Sequence, residues 1–346
     1  RRTDDVTEEP AFEKPIKQLA HLFDMQHDPQ YADTLTYQSP TSGDPVATAF
    51  MPSRSYDDLV KRRKGFQLWA EATFGLMGRS QDYMNATLLA FAEARHLFAE
   101  AGEQFGDNIV NYYKYMRSND VFATYTVLPP QGARKPELYE REGMKVPTLR
   151  GTDEDAQGVT LNGMKMLGTS AVYANETWVG NLLPLAPDQS MESITCAVKM
   201  NMPGISMWAR KPFEKYAVSE FDNPLAYRYD ESDSMVLFEN VFVPWEKVFV
   251  HNNAGMSRDI YFDTPSHIMG NHQSNIRFAE KLKLILAIIK RITDANNIGH
   301  IQAVQLILAQ LAAGLAELEA MIQGQIMSYE EMIPGTVNIN PRFMYA

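Results

Sequence analysis

The segment Met235-Val-Leu-Phe-Glu-Asn-Val-Phe-Val243 is rich in valine and phenylalanine, residue types that favour β-strands. Similar segments recur through residues 146–250, separated about every ten residues by Pro, Gly, Asn or Asp. Examples are Val159-Thr-Leu-Asn-Gly163, Ile194-Thr-Cys-Ala-Val-Lys-Met200 and Ile205-Ser-Met-Trp208. In these segments apolar residues tend to recur at every second position. This period of two predicts short antiparallel strands of a barrel or sandwich.

Residues 11–117 and the chain from about residue 261 onward have the helical period instead. Ser55 and Ser80 each precede an acid by two or three residues, which suits them as helix N-caps. Two long helices are predicted over 276–292 and 301–327, with the break at Asn296-Asn-Ile-Gly299. Helices, a block of strands and then helices predict an α+β architecture.

The composition is that of a globular protein, with 346 residues, 45% of them hydrophobic and 22% charged. A net charge of -11 disfavours nucleic acid and anionic membranes, which select basic surfaces. We find neither a signal peptide nor an apolar run approaching the ~20 residues that cross a bilayer. We therefore expect a cytoplasmic protein that binds neither nucleic acid nor membrane. Because it starts without Met, we also expect it to be part of a longer chain.

A single cysteine, Cys196, excludes an intrachain disulfide and any metal site built from several thiolates. The seven histidines include no pair at helical metal-ligand spacing with a nearby acid, so we expect no metal. The sequence also lacks Gly-x-Gly-x-x-Gly, the P-loop motif, Gly-x-Ser-x-Gly and His-Glu-x-x-His. The usual motifs of dinucleotide enzymes, nucleoside triphosphatases, serine hydrolases and zinc proteases are therefore missing.

The segment Gly78-Arg79-Ser80-Gln81-Asp82-Tyr83 is the strongest candidate for a binding site. It puts a guanidinium and a phenol about one turn apart at the start of an apolar helix. A fixed cation beside a helix N-terminus is suited to a phenolate or another anionic oxygen.

Two further segments carry weaker patterns. Thr124-Tyr-Thr-Val-Leu-Pro-Pro-Gln-Gly-Ala-Arg134 offers hydroxyls, an amide and an arginine to a flat polar ligand, although an ordinary loop explains it equally well. Gly168-Thr169-Ser170-Ala171 ends a predicted strand, where small residues let a ligand approach the backbone. Such residues more often serve only to form a turn.

A fourth segment, residues 264–277, contains His267 and His272 before a long helix. A neutral imidazole can accept a proton from a bound phenol near neutral pH. His272 and the adjacent Gln273 lie nearer the helix, where capping or packing is the simpler role.

Together these segments resemble the flavin-dependent phenol monooxygenases of the 4-hydroxyphenylacetate 3-monooxygenase family, the oxygenase halves of two-component systems. The motifs run in order along the chain: Gly78-Arg79-Ser-x-Asp-Tyr83, Pro130-Gln131-x-x-Arg134, Gly168-Thr-Ser-Ala171, Asn223-Pro-Leu-Ala-Tyr-Arg-Tyr-Asp230, Val241-Phe-Val-Pro-Trp-Glu-x-Val-Phe249 and His272-Gln273. The Thr264-Pro-Ser-His267 run is most similar to the chlorophenol and nitrophenol monooxygenase branch.

The resemblance implies an acyl-CoA dehydrogenase-like fold. Its parts would be a helical N-terminal domain over 1–134, a central antiparallel β-barrel over 135–255, and the start of a C-terminal helix bundle over 256–346. In the family that bundle continues well beyond the position of Ala346, and the protein is usually a homotetramer.

The resemblance also implies FAD as the cofactor, delivered as FADH2 by a separate NADH:flavin reductase, with O2 as co-substrate. A flavin hydroperoxide would transfer oxygen to a phenolic ring. His267 would deprotonate the phenol, Arg79 would hold the phenolate and Tyr83 would orient it. The flavin would be held by Gln131, Arg134, Thr169 and Ser170.

The branch predicts a halogenated or nitro phenol as substrate, with release of chloride or nitrite. The alternative is ortho hydroxylation of the 4-hydroxyphenylacetate type, although a histidine of those enzymes is replaced here by Tyr125. The related 4-hydroxybutyryl-CoA dehydratases need cysteine ligands that one cysteine cannot supply. A non-catalytic scaffold of the same fold is the remaining alternative.

Overall fold

The computed structural model describes residues 3–144, 146–213 and 218–344. The side chains at 134, 136, 138 and 140 also lie outside the description. The helices are α1 Glu13–Asp24, α2 Ala32–Leu35, α3 Tyr56–Ala72, α4 Gln81–Glu93, α5 Arg95–Ala99, α6 Glu103–Ser118, α7 Pro136–Arg141, α8 Pro224–Arg228, α9 Met256–Asp259, α10 Ser266–Ala295 and α11 Gln302–Met327.

Several of the strands are separated by short 3-10 helices. The strands are β1 Thr36–Gln38, β2 Pro45–Ala47, β3 Ala123–Thr126, β4 Arg150–Glu154, β5 Gly158–Thr169, β6 Glu176–Val179, β7 Ile194–Lys199, β8 Ile205–Ala209, β9 Asp233–Pro244, β10 Val248–His251, β11 Glu330–Ile333 and β12 Thr336–Asn338.

The chain divides into two compact units. Unit 1 comprises Arg1–Ala20 and Thr87–Ser266, and unit 2 comprises His21–Ala86 and His267–Ala346. Unit 1 therefore holds β3 to β10, and unit 2 holds most of the two long C-terminal helices. The three-domain division expected from the sequence stays a prediction.

Unit 1 contains two four-stranded sheets. One has the order β10-β7-β6-β3, in which β3 and β6 are parallel and the other pairs antiparallel. The other has the order β4-β5-β9-β8 and is antiparallel throughout. An isolated bridge between Leu128 and Met166 links the segment after β3 to β5.

A β-bulge explains how the long strand β9 keeps its apolar residues buried. Phe238 pairs with Gly163 and Val241 pairs with Leu161, so two residues of β9 face one residue of β5. Asn240, at the bulge, has a φ of 54°. The extra residue shifts the alternation by one position, and Phe238 and Val241 both remain buried.

The core of unit 1 is aromatic where β6 and β10 meet the end of α4. The rings of Trp178 and Phe249 stack with their centroids 4.8 Å apart, and Phe91 stacks on Trp178 at 5.1 Å. Next to them in β7 lies Cys196, fully buried. Burial raises the pKa of its thiol to about 12.

Unit 2 combines helices with two small hairpins, β1–β2 and β11–β12. Helix α3 begins as predicted, because the Ser55 hydroxyl accepts a hydrogen bond from the N–H of Asp58 at 3.3 Å. Neither hairpin was predicted, since strands of three or four residues are too short to establish an alternating pattern.

The sequence led us to expect no segment that could cross a membrane, and helix α11 contradicts this expectation. It is long and apolar enough to do so, with a mean hydropathy of 1.4 over its most apolar 18 residues. Only 11% of that window is buried. A single helix of this kind is weak evidence for a membrane, because soluble proteins contain similar helices.

The α+β class is confirmed, as are strands at all four segments quoted from residues 159–243. The closed antiparallel barrel is not found: among the described residues of unit 1 the strands form two open sheets, one of which contains a parallel pair. Alternation predicts which face of a strand is buried but not which strands become neighbours, so the sequence could not separate these arrangements.

Candidate active site

Arg79 and Tyr83 are in contact at the start of α4. The guanidinium carbon of Arg79 lies 4.5 Å from the centroid of the Tyr83 ring, and Nη1 donates to the carbonyl of Gly78 at 3.2 Å. Both side chains are half-buried. A cation held against an aromatic face at a partly exposed position is suited to bind an anionic oxygen.

Asp82 fixes the turn that carries this pair. Its Oδ1 accepts hydrogen bonds from the Ser80 hydroxyl at 2.7 Å, the Tyr83 N–H at 3.0 Å and the Gln273 amide at 3.2 Å. Burial raises the pKa of Asp82 to about 6, although these three bonds act in the opposite direction. The predicted N-cap Ser80 therefore acts through Asp82, and Gln273 connects the turn to α10.

Helix α10 lies close against the same turn. A Cβ added to Gly270 would lie 3.1 Å from Cε2 of Tyr83, so glycine makes room for that ring. A Cβ added to Gly78 would lie 2.8 Å from the guanidinium carbon of Arg277. Arg277 also donates to the carbonyl of Gly75 at 3.2 Å. Close packing at two glycines thus determines where Arg79 and Tyr83 lie.

His267 is the second residue of α10, whereas the sequence suggested a position before the helix. It precedes Gly270 by three residues, which puts both on the face of α10 that meets Tyr83. The imidazole is half-buried, and burial lowers its pKa. It is therefore neutral at pH 7 and able to accept a proton.

His272 has a different environment, in the interior of unit 2. Its Nδ1 is 2.5 Å from Oε1 of Gln325, whose amide donates to the carbonyl of Phe343 at 2.7 Å. The ring packs edge-on against Phe66, and burial lowers the pKa of His272 to about 4. This histidine is a neutral packing residue, as its position near the helix suggested.

In unit 1, Thr169 and Ser170 end strand β5. The Thr169 hydroxyl is half-buried and donates to Oδ1 of Asp233 at 2.6 Å. Ser170 is fully buried with a φ of 62°, and its N–H donates to the carbonyl of Ser232 at 2.9 Å. Among the described residues, the hydroxyls of Ser170, Ser232 and Ser234 have no hydrogen-bond partner. The strand end therefore has polar atoms to offer a ligand.

An arginine connects this strand end to the Asn223–Asp230 motif. Nε of Arg210 is 3.5 Å from Oδ2 of Asp233, and its terminal nitrogens bind the buried carboxylate of Asp230. Neither Arg210 nor Asp233 was predicted from the sequence. Asp233 follows the last residue of the motif, Asp230, by three positions, and this second acid was the signal that could have identified it.

The remaining predicted residues of unit 1 are Gln131, Arg134 and Tyr125. Gln131 is exposed in the 3-10 turn Gln131–Arg134, and the side chain of Arg134 lies outside the described residues. Tyr125 is half-buried on β3, and burial together with this neighbouring phenol raises the pKa of Tyr261. Arg79, Tyr83 and His267 thus share unit 2, while Gln131, Thr169 and Ser170 belong to unit 1.

A cavity of about 290 Å³ in unit 1 includes none of these residues in its lining. Its walls include Glu100, Asp259 and Asp263. Three acids would repel a phenolate, so its size does not make it the phenol site. The positive charge of Arg79 makes its surroundings the better candidate for the phenol site.

Comparison with protein families accounts for nearly the whole chain. The N-terminal profile of 4-hydroxyphenylacetate 3-hydroxylase matches residues 1–250, and the C-terminal profile matches residues 257–346. The chain belongs to this family. The resemblance stated from the motifs is thereby confirmed at family level.

Individual relatives agree with this membership. The chain is 34% identical over 306 residues to the 4-hydroxyphenylacetate 3-monooxygenase oxygenase component of Geobacillus sp. (strain PA-9), covering 88% of this chain and 61% of the relative. A crystal structure of such an oxygenase component, complexed with FAD and 4-hydroxyphenylacetate, superimposes with a TM-score of 0.90 at 26% identity. That match covers 99% of this chain and 70% of the other.

A relative from the predicted branch also matches. The oxygenase component of 4-nitrophenol 2-monooxygenase from Rhodococcus sp is 29% identical over 255 residues, covering 72% of this chain and 47% of the relative. Assignment to the chlorophenol and nitrophenol branch stays a prediction. The chain spans 61–65% of the length of three 4-hydroxyphenylacetate relatives.

Proposed function

We propose that this family member is the oxygenase component of a two-component monooxygenase that hydroxylates a para-substituted phenol beside its hydroxyl group. It would use FADH2 from a separate NADH:flavin reductase, and O2. The observation that carries the proposal is the half-buried Arg79–Tyr83 pair, in a chain that matches the family profiles from end to end.

The names of the relatives support the position of attack. Position 3 of 4-hydroxyphenylacetate and position 2 of 4-nitrophenol are both the ring carbon next to the one bearing the hydroxyl. That carbon becomes electron-rich when the phenol ionises. A site that stabilises a phenolate therefore favours attack by an electrophilic oxygen at that carbon.

Three side chains of unit 2 would bind and activate the phenol. His267, neutral because burial lowers its pKa, would accept the phenolic proton at its ring nitrogen. The guanidinium of Arg79 would stabilise the oxygen anion. Tyr83, held in place by Asp82 and Gly270, would orient the ring.

The end of β5 in unit 1 fits a flavin, because Thr169 is half-buried and the buried hydroxyls of Ser170, Ser232 and Ser234 have no hydrogen-bond partner among the described residues. Thr169, Ser170, Gln131 and Arg134 are the residues proposed to hold it. The reduced flavin supplies the activated oxygen after reaction with O2. A cytoplasmic homotetramer also remains our expectation.

Release of chloride or nitrite was the first expectation from the sequence. The 4-hydroxyphenylacetate alternative now has the better support, since the Geobacillus relative and the ligand-bound crystal structure are both named for it. We therefore propose ortho hydroxylation without loss of a substituent.

A single-turnover experiment tests this proposal. Anaerobic protein with reduced FAD is mixed with oxygenated buffer and 4-hydroxyphenylacetate, 4-nitrophenol or 2,4,6-trichlorophenol, and catechol, H2O2 and chloride are quantified. We expect a catechol from a para-substituted phenol, with little peroxide and no chloride. Chloride from trichlorophenol without any catechol would support the halophenol alternative. Complete conversion of O2 to peroxide with every phenol would contradict a monooxygenase function.

A further inference from the structure

A small cavity in unit 2 adjoins the turn that carries Arg79 and Tyr83. Its volume is about 20 Å³, and its walls are mostly apolar but include Asp82 of that turn and Trp69 of α3. A space of this size is large enough for one water molecule. Whether water enters depends on the polar atoms that line the cavity, because a purely apolar cavity stays dry.

Two wall residues carry polar atoms that no described residue satisfies. The indole N–H of Trp69 is buried and has no hydrogen-bond partner in the described part of the chain. Asp82 is only 4% exposed and binds its three donors through Oδ1, so none of the described residues donates to Oδ2. A buried donor and a buried carboxylate oxygen therefore line one cavity, and such groups are almost always hydrogen-bonded in folded proteins.

Two further wall residues add partners for a water molecule. The Thr48 hydroxyl gives its proton to the carbonyl of Thr34 at 2.8 Å, which leaves its lone pairs as acceptors. Gln26 is buried, and its amide has no partner among the described residues. Because the cavity is about the size of one water, the same molecule can reach both Trp69 and Asp82. Buried waters typically make about three hydrogen bonds, and these walls offer enough partners.

We propose that the cavity binds one water molecule, which accepts the indole N–H of Trp69 and donates to Oδ2 of Asp82. Trp69 is then a positioning residue for the candidate phenol site, because it acts on the Arg79–Tyr83 turn through the water and Asp82. The link to the phenol rests on the proposed function, whereas the water site does not. The two groups satisfy each other although no hydrogen bond joins them directly.

A high-resolution crystal structure of the wild-type protein tests the water site without any variant. We expect an ordered water at about 2.7 to 3.2 Å from both Nε1 of Trp69 and Oδ2 of Asp82. A dry cavity, or a water that contacts only one of these atoms, would overturn the inference.

The structures of two variants test the part played by the indole. Trp69→Phe removes the N–H group but keeps an aromatic ring, so the water should lose its order or leave. Phe66→Leu is the matched control, since it alters an apolar wall of the same cavity, and it should retain the water. An equally ordered water in Trp69→Phe would overturn the role of Trp69. Circular dichroism of each variant checks its fold.

Equilibrium binding of 4-hydroxyphenylacetate tests the positioning role without turnover. Trp69→Phe should raise the Kd about threefold, because a less firmly held Asp82 leaves the turn less well ordered. Phe66→Leu should leave the Kd unchanged. Equal Kd values in wild type and a folded Trp69→Phe protein would overturn the positioning role but not the proposed function. Failure of the wild type to bind this phenol would contradict the proposed function, while the crystal structure would still decide the water site.

Discussion

The guanidinium of Arg79 lies against the ring of Tyr83, with 4.5 Å between its central carbon and the ring centroid. The contact joins the loop before α4 to the first turn of that helix, and Asp82 lies between the two residues in sequence. The guanidinium, the aromatic ring and the carboxylate that fixes the turn therefore come from the five consecutive residues 79–83. Their arrangement depends on the glycines at 78 and 270.

Arg79→Ala should lower kcat/KM for hydroxylation by a factor corresponding to on the order of 2 to 4 kcal/mol, because a desolvated phenolate loses its charged partner. Arg79→Lys should lower kcat/KM less, since lysine keeps the positive charge but lacks the planar guanidinium that can donate two parallel hydrogen bonds. Steady-state kinetics with Tm as the control for folding measures both. Unchanged turnover in Arg79→Ala would rule out the proposed role.

His267→Ala should shift the pH optimum of hydroxylation upward, towards the pKa of the free phenol. Without a base, only phenol that is already ionised reacts. His272→Asn is the matched control, because it removes a buried imidazole yet keeps an N–H group for Gln325. The kcat/KM profile from pH 5 to 10 reports the difference. A shift in His272→Asn and none in His267→Ala would reverse the assignment.

Asp82→Ala should cost about 3 kcal/mol of stability, because three donors lose their acceptor in the interior. Asp82→Asn should cost much less, since all three bonds end on Oδ1, which asparagine retains. Urea unfolding of the two variants gives the comparison. Equal losses would mean that the charge of Asp82, and not its hydrogen bonds, stabilises the turn.

Stability should also depend on pH through Asp82. Its pKa rises from 3.8 to about 6 on folding, so between these values the folded state binds the proton more tightly. This group therefore stabilises the protein as pH falls through 6 and destabilises it as pH rises from 4 to 6. The difference in unfolding free energy between wild type and Asp82→Asn should change across this window. A constant difference from pH 4 to 7 would contradict the shifted pKa.

Gly270→Ala should raise KM for the phenol, because the new Cβ would be 3.1 Å from Tyr83 and displace its ring. Gly314→Ala in α11 is the matched control, since its Cβ would have no neighbour within 4 Å. That variant should gain up to about 1 kcal/mol of stability from helix propensity alone. A KM that is equal in both variants would exclude a positioning role for this glycine.

The strands of unit 1 and the pairing of Arg79 with Tyr83 could be predicted from the sequence. The change of hydrophobic period located the strands of unit 1, and an arginine and a tyrosine one turn apart identified the contact at α4. The two histidines had different expected roles, and only His267 is partly exposed while His272 is buried.

The remainder depends on contacts that are distant in sequence. Asp82 meets Gln273 across 191 positions, and Thr169 meets Asp233 across 64. Local patterns carry no information about such pairs. The parallel pairing of β3 with β6 was missed for the same reason, because it depends on the path of the chain between the strands.

The buried thiol of Cys196 has a practical consequence. With a pKa of about 12 it stays protonated at neutral pH, and alkylating reagents attack the thiolate. Since Cys196 is the only cysteine in this sequence, these 346 residues offer no competing site for maleimide chemistry. A cysteine introduced at the exposed Leu167, two residues from Thr169, would carry a fluorophore at a single known position without first removing a native residue.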